Sequence, residues 1–145
     1  MIMATVKEKL VKDWYAAWNA HDIDKTLAFY TDDCLYEGVA AGTIAHGKQE
    51  LAANLKRSFT DYPNSKLDFS YTFYSENVVC GEFVMSATQA HSSNPAIPMT
   101  GKSFSVRGGY FSEWQNYKVK RHTIYYDNLA IMRQLGIMPA PPIKK

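Results

Sequence analysis

Asp127 stands where a β-prone run, Thr123-Ile124-Tyr125-Tyr126, meets a short helical segment that stops at Gly136. A carboxylate at such a junction has two uses. It can cap the helix by accepting hydrogen bonds from first-turn amides, which favours the ionised form. Set in an apolar pocket, it can instead hold and move a proton, because desolvation raises a carboxyl pKa. The residues alone leave both uses open. Tyr125 shares the strand parity of Asp127, and Tyr110 sits on the strand before it. A phenol facing a cavity would donate to an oxygen gaining negative charge, such as an enolate. As core rings, the same two tyrosines would satisfy their hydroxyls elsewhere. His122 alternates away from the Asp127 face, and His21, His46 and His91 lie beside helix starts or a loop, where local hydrogen bonding accounts for them. No pair of these has metal-ligand spacing, and neither HExxH nor CxxC occurs, so no metal is expected.

The elements that must position these groups follow from periodicity. Val6, Leu10, Val11, Trp14, Ala17 and Trp18 recur at the helical period and put both tryptophans on one stripe. NAHD breaks that helix, and Asp22 is suited to cap a second one over DKTLAFY, with Leu27 and Tyr30 inward. TDD (31–33) reads as a turn, CLYE (34–37) as a short strand carrying Tyr36, and 38–42 as a small-residue loop. A third helix, KQELAANLKRSF, follows. From Lys66 the period changes to two, with Leu67, Phe69, Tyr71 and Phe73 on one parity. VVCGEFVMSATQA is a second long strand carrying Phe83. After a proline-containing loop, KSFSVRGGYFSEW and YKVKRHTIYYD form a hairpin about Gln115-Asn116. The last helix, from Asn128 to Leu135, closes at Gly136. Segregated helices and strands argue an α+β class, with a curved antiparallel sheet, helices over one face and a cavity between. Gly81, Gly108 and Gly109 are candidates for the bends that curvature needs.

The chain has 145 residues, enough for one domain with a sizeable core, placed here at 1–139 with 140–145 as an extended tail. Net charge is +2 and the basic residues are scattered, so no nucleic-acid groove is expected. No apolar run reaches the length of a membrane span, and the start lacks the pattern of a signal peptide. Cys34 and Cys80 stand far apart on strand-like segments; two thiols in a reducing compartment fit better than one disulfide, and the expected location is cytoplasmic.

The pieces WYAAWNAHDIDKTLAFYTDDCLYE, HGKQEL, the hairpin ending YYD, and NLAIMRQLGIMP occur in an order that resembles the nuclear transport factor 2-like superfamily, a cone-shaped, cystatin-like α+β fold. Within it the chain looks most like the SnoaL-like polyketide cyclase branch. That resemblance implies an aspartate at the end of the last strand acting as general acid and base, a position matched by Asp127. The chemistry implied is intramolecular aldol closure on a hydrophobic carbonyl compound, with no cofactor. Ketosteroid isomerases of the same fold resemble DIDKTLAFYTDDCLYEG, but their general base falls here on Gly38. Their oxyanion-hole tyrosine falls on Trp14, with Tyr15 one place off, so steroid isomerisation is not implied.

The expected cavity is walled by Trp14, Trp18, Tyr36, Phe83, Tyr110 and Tyr125, with Asp127 as its principal charge. Its partner would be a small hydrophobic molecule. Two alternatives stand beside the cyclase reading. An epoxide hydrolase-like enzyme would need an Asp–Arg–Asp set, for which Arg107 and Arg121 are available. A non-catalytic binder would need only the apolar walls. Phe104, Phe111, Ile124 and Tyr126 also leave apolar surface on the hairpin's other face, which points to a two-fold homodimer through the sheet.

Overall fold

The computed structural model describes residues 2–139, the side chains of 2–7 aside. The tail expected at 140–145, and the Val6 side chain, lie outside the described residues. Helix α1 (Ile2–Asn19) buries Val11, Trp14 and Ala17 along its apolar stripe. Asp22 caps α2 (Ile23–Ala28), its carboxylate accepting from the Lys25 amide at 2.9 Å. Strand β1 (Tyr30–Gly38) runs through a 3₁₀ turn into β2 (Thr43–His46). Helix α3 (Gly47–Asp61) is closed at its start by Glu50, whose carboxylate reaches back to the His46 amide at 2.8 Å. Four long strands follow: β3 (Lys66–Tyr74), β4 (Val78–Thr88), β5 (Ser103–Gln115) and β6 (Lys118–Tyr126). Helix α4 (Asn128–Gln134) ends the described chain.

All six strands form one sheet in the order β2-β1-β6-β5-β4-β3. The α+β class and curved sheet hold, with two corrections near the front. Residues 31–33 are strand rather than turn: β1 pairs parallel with β6 at Tyr30 and again from Leu35 to Gly38, and they lie in the irregular stretch between. Asp32 and Asp33, which suggested a turn, answer lysines instead: Lys48 at 3.2 Å from Asp32, and Lys120, which donates to Asp33. The second correction is β2, four residues that pair antiparallel with the end of β1 and follow the small-residue loop, where no strand was expected. The sheet is therefore antiparallel except for the β1–β6 pair.

Two bulges decide which side chains face inward. Phe69 pairs with Phe83 and Tyr71 with Glu82, so Ser70 is an extra residue on β3. Side-chain parity reverses there. Leu67 is buried, while Tyr71 and Phe73 emerge on the outer face, more than half exposed, rather than sharing the inner face with Leu67. In the β5–β6 hairpin, Trp114 pairs with Val119 but Glu113 pairs with Arg121. Lys120 is the extra residue. Beyond it, His122, Ile124 and Tyr126 turn inward, opposite Ser112, Tyr110 and Gly108. The hairpin itself turns through Asn116 and Tyr117, both with positive φ, as a mirror-image two-residue turn requires.

Helices α1 and α3 cover the concave face. Val11, Trp14, Leu51, Leu55, Val79 and Phe83 belong to one buried cluster there. A second cluster, with Phe104, Val106, Ile131 and Leu135, seats α4 against β5. Phe104 and Ile124 are thus core residues, not part of an outer patch. Side-chain amides complete the strand edges. Asn19 both donates to the Leu67 carbonyl and accepts from its amide, each at 2.9 Å, and Gln134 does the same for Ser105 at 3.1 and 2.8 Å.

Candidate functional site

A cavity of about 110 Å³ lies between the helices and the concave face. Helix α1 supplies Trp14, Tyr15 and Trp18, each held by the stripe that packs α1 on the sheet. Strand β1 supplies Tyr36, and β4 and β5 supply Phe83 and Tyr110. Two glycines let these last rings lie flat. A Cβ on Gly108 would come within 2.5 Å of Phe83 Cζ, and one on Gly81 within 3.0 Å of Tyr110 Cε1. Gly108 is directly opposite Phe83 and Gly81 directly opposite Tyr110, and the two rings lie 6.5 Å apart, 25° from parallel. The expected bends at Gly81 and Gly108 are thus close-approach positions for aromatic rings.

Strand β6 supplies His122, Ile124 and Tyr126. The imidazole sits edge-on to Trp14 at 4.9 Å, close to parallel with Tyr36 at 5.7 Å, and 5.7 Å from Tyr110. Burial among these rings drives the His122 pKa down to about 3, so the ring is neutral at ordinary pH. Burial likewise pushes the phenols of Tyr36 and Tyr110 upward, keeping both protonated. Four polar atoms of the lining residues are buried with no hydrogen-bond partner: Trp14 Nε1, Tyr15 Oη, Tyr110 Oη and His122 Nδ1. Tyr15 is stacked on Phe69 at 3.4 Å and meets Tyr110 edge-on at 5.9 Å. An unpaired buried polar group costs about 1–3 kcal/mol. No Asp, Glu, Lys or Arg is among the lining residues.

Five of the seven expected site residues therefore meet in one cavity: Trp14, Trp18, Tyr36, Phe83 and Tyr110. Tyr125 and Asp127 do not line it. Tyr125 is 46% exposed on the outer face, edge-on to Phe111. Asp127 is exposed and accepts from the Ala130 amide at 2.9 Å, the N-cap of α4. The parity expected between Tyr125 and Asp127, and against His122, is correct; the face assigned to it is reversed. The Lys120 bulge is the reason, since it turns the even-numbered residues of β6 inward. Sequence reasoning passed over His122 and Tyr15 as site residues. The signal that finds His122 is β5, whose even residues Phe104, Val106, Tyr110, Ser112 and Trp114 are all buried between exposed odd ones. Arg107 and Arg121 project on the outer side, beside Glu82 at 2.7 Å and Glu113 at 3.8 Å, so the cavity holds no Asp–Arg–Asp set. Among the described residues, no group of three or more His, Cys, Asp or Glu is placed to hold a metal ion. Among the described residues, no helix is long and apolar enough to cross a membrane.

The family model described as SnoaL-like polyketide cyclase matches residues 8–135, the span from α1 through α4. The chain belongs to the SnoaL-like polyketide cyclase family. Solved structures repeat the architecture. A proposed polyketide cyclase from Xanthomonas campestris pv. campestris is 25% identical, with a TM-score of 0.79 over 89% of this chain and 96% of that one. TsrD from Streptomyces laurentii is 19% identical, with a TM-score of 0.78 over 90% and 95%. A Catenulispora acidiphila protein with a ketosteroid isomerase-like fold, solved in complex with trimethylamine, is 16% identical, with a TM-score of 0.77 over 91% and 97%. None of the curated proteins compared with the chain matches it in sequence. This SnoaL-like chain thus shares the cone-shaped fold of these relatives.

Proposed function

We propose that this SnoaL-like protein binds a small hydrophobic carbonyl compound in the inner cavity and catalyses cofactor-free proton transfer on it, as tautomerisation or intramolecular aldol closure. The observation that carries this reading is an uncharged aromatic cavity whose walls include Tyr15, Tyr110 and His122. With its proton on Nε2, His122 accepts a proton at Nδ1 from the carbon beside the carbonyl. The C–H electron pair becomes the new C=C bond, and the carbonyl π pair moves to oxygen. Tyr110 and Tyr15 donate hydrogen bonds to that enolate oxygen, whose charge develops only as the proton leaves. The imidazolium then returns the proton, to carbon or oxygen in tautomerisation, or to the alkoxide formed when the enolate carbon attacks a second carbonyl. A low imidazole pKa makes the uptake costly and the return fast; the adjacent enolate raises it transiently. In this reading Asp127 serves as the cap of α4, and the acid–base work lies with His122.

Deuterium uptake at the α-carbon of 2-cyclohexen-1-one, followed by NMR, tests the assignment. His122→Gln should lower the catalysed rate roughly 10²–10⁴-fold, the range of a general base. Asp127→Asn should leave it unchanged. The reverse pattern would return the chemistry to Asp127. A second reading, a binder without turnover, is favoured by the absence of any carboxylate from the cavity lining. Saturable binding with no exchange in the wild type would establish it.

We also propose a two-fold homodimer through the outer face of the sheet. Tyr71, Phe73, Phe111 and Tyr125 line an open trough there of about 830 Å³, and each is between 46% and 65% exposed. Contiguous apolar surface of this kind marks an interaction site.

A further inference from the structure

We infer that α4 is a gate: the way into the inner cavity runs between the end of α3 and α4, and opens when α4 lifts off β5 and Met85 and Tyr126 turn aside behind it. The inference rests on reading that cavity as the ligand site, and adds the route by which a ligand reaches it.

As closed, the cavity of about 110 Å³ is smaller than the roughly 150 Å³ that holds one benzene. A ring compound therefore enters only if a wall moves. Most walls are fixed. Trp14 is ringed edge-on by Tyr30, Tyr110, Trp114 and His122. Phe83 and Tyr110 lie against Gly108 and Gly81, and Leu51 and Leu55 are buried in the main cluster. Met85 and Tyr126 differ. Each lines the cavity, is only partly buried, and packs against both the main cluster and the cluster that seats α4. They form the partition between the cavity and Ile131 and Leu135. An unbranched methionine repacks with little penalty, so this is the wall that yields.

Three tyrosines mark the path. Tyr36 lines the cavity, and Tyr126 lines it while also touching the α4 cluster. Tyr62, at the end of α3, touches the α4 cluster and does not line the cavity. Burial raises the pKa of all three phenols, with Tyr126 adding to the rise at Tyr36 and Tyr62 to that at Tyr126. That order leads from the cavity to the junction of α3 and α4.

The attachment of α4 is light. A helix this short does not hold without tertiary packing, and α4 buries only Ile131 along its length, with Leu135 just past its end. Its last residue, Gln134, latches onto the Ser105 backbone through two hydrogen bonds, at 2.8 and 3.1 Å. It is bounded by extended Asp127 and left-handed Gly136, where the chain leaves the helical path. Elements with few buried contacts open locally without the rest of the fold.

Gln134→Ala cuts the latch, and three measurements on the intact protein read the result. By hydrogen exchange, α4 amides should exchange at least tenfold faster than those of α1 in the wild type, and roughly tenfold faster again in Gln134→Ala, as loss of one or two hydrogen bonds implies. Exchange of α4 as slow as that of α1 would overturn the inference. Iodoacetamide labelling, read by peptide mass spectrometry, follows access to the cavity wall in an Ile124→Cys variant. Gln134→Ala should speed labelling at position 124 about tenfold and leave the buried native Cys34 unchanged. No change at 124, or an equal rise at Cys34, would overturn the gate. Stopped-flow tryptophan fluorescence with 2-cyclohexen-1-one gives the third reading. Association and dissociation should both quicken by the same factor, with Kd unchanged. Gated labelling without cyclohexenone binding would remove the ligand reading and leave the gate standing. Binding with rates indifferent to Gln134→Ala would keep the ligand site and overturn the gate.

Discussion

His122 ties the chemistry of the cavity to the stability of the fold. Its ordinary pKa of 6.5 falls to about 3 because burial disfavours the imidazolium. The unfolded chain takes up that proton as the pH drops through 6.5, and the folded chain does not until about 3. Between those values the unfolded state binds more protons, so stability falls with acid across this window and is fully present above it. Urea denaturation of wild type and His122→Phe between pH 7 and 4 should therefore diverge, the wild type losing several kcal/mol more. Parallel curves would mean that the ring is solvated. Tyr110→Phe should keep or raise stability by about 1 kcal/mol, since it removes a buried hydroxyl that has no partner. Calorimetric melting of that variant thus separates ligand recognition from packing. At Asp127, Asn should be nearly neutral for stability and Ala should cost about 1 kcal/mol, as at other N-caps. The aromatic walls of the site were legible because large rings on a helix stripe and on long strands have few places to go but inward. The group proposed here for the acid–base work was not. Asp127 has a residue type and a position that suit both a cap and a catalyst, and only its contact with the Ala130 amide separates them.

Among the elements, the strands carry the lesson in their irregularities. Periodicity finds β3 to β6, the helices and the hairpin, because each is long enough for its pattern to repeat. It does not find β2, whose four residues pair only through the end of β1. It also does not find the extra residues Ser70 and Lys120, although each reverses the faces of everything beyond it. A bulge is one unpaired residue in a ladder and leaves no hydropathy signature of its own. Lys120 gains a role by being unpaired: it stands at the bulge and reaches Asp33 on β1. The hairpin turn offers a direct test. Tyr117 holds φ at 62°, a left-handed conformation that costs a side-chain-bearing residue roughly 1–2 kcal/mol. With Asn116 before it, Tyr117→Gly would create the Asn-Gly pair that such turns favour. It should stabilise the fold by about 1 kcal/mol, or roughly 3 °C in melting temperature. A lower melting temperature would show that the exposed Tyr117 ring packs in a way that outweighs its backbone strain.

For the whole molecule, the same two bulges place Tyr71, Phe73 and Tyr125 outside, beside Phe111, so the reversals that build the cavity also build the outer aromatic face. Sedimentation at micromolar concentration should report about 33 kDa, twice the 16.4 kDa chain. Phe111→Arg should shift it to the monomer. An unshifted mass would place the interface elsewhere. The paired amides of Asn19 and Gln134 bear on a different kind of association. Strands β3 and β5 each turn a stretch of backbone away from the sheet at Leu67 and Ser105, where an incoming strand of another chain would start to zip on. A carboxamide presents the same donor and acceptor as that strand's peptide group, but only once, so the ladder begins and ends on a single side chain. Hydrolysis of either amide to an acid would keep the acceptor and replace the donor with an oxygen facing a carbonyl. Slow chemical ageing at Asn19 or Gln134 would thereby open a growth point for fibrils while leaving cavity, core and aromatic face unchanged.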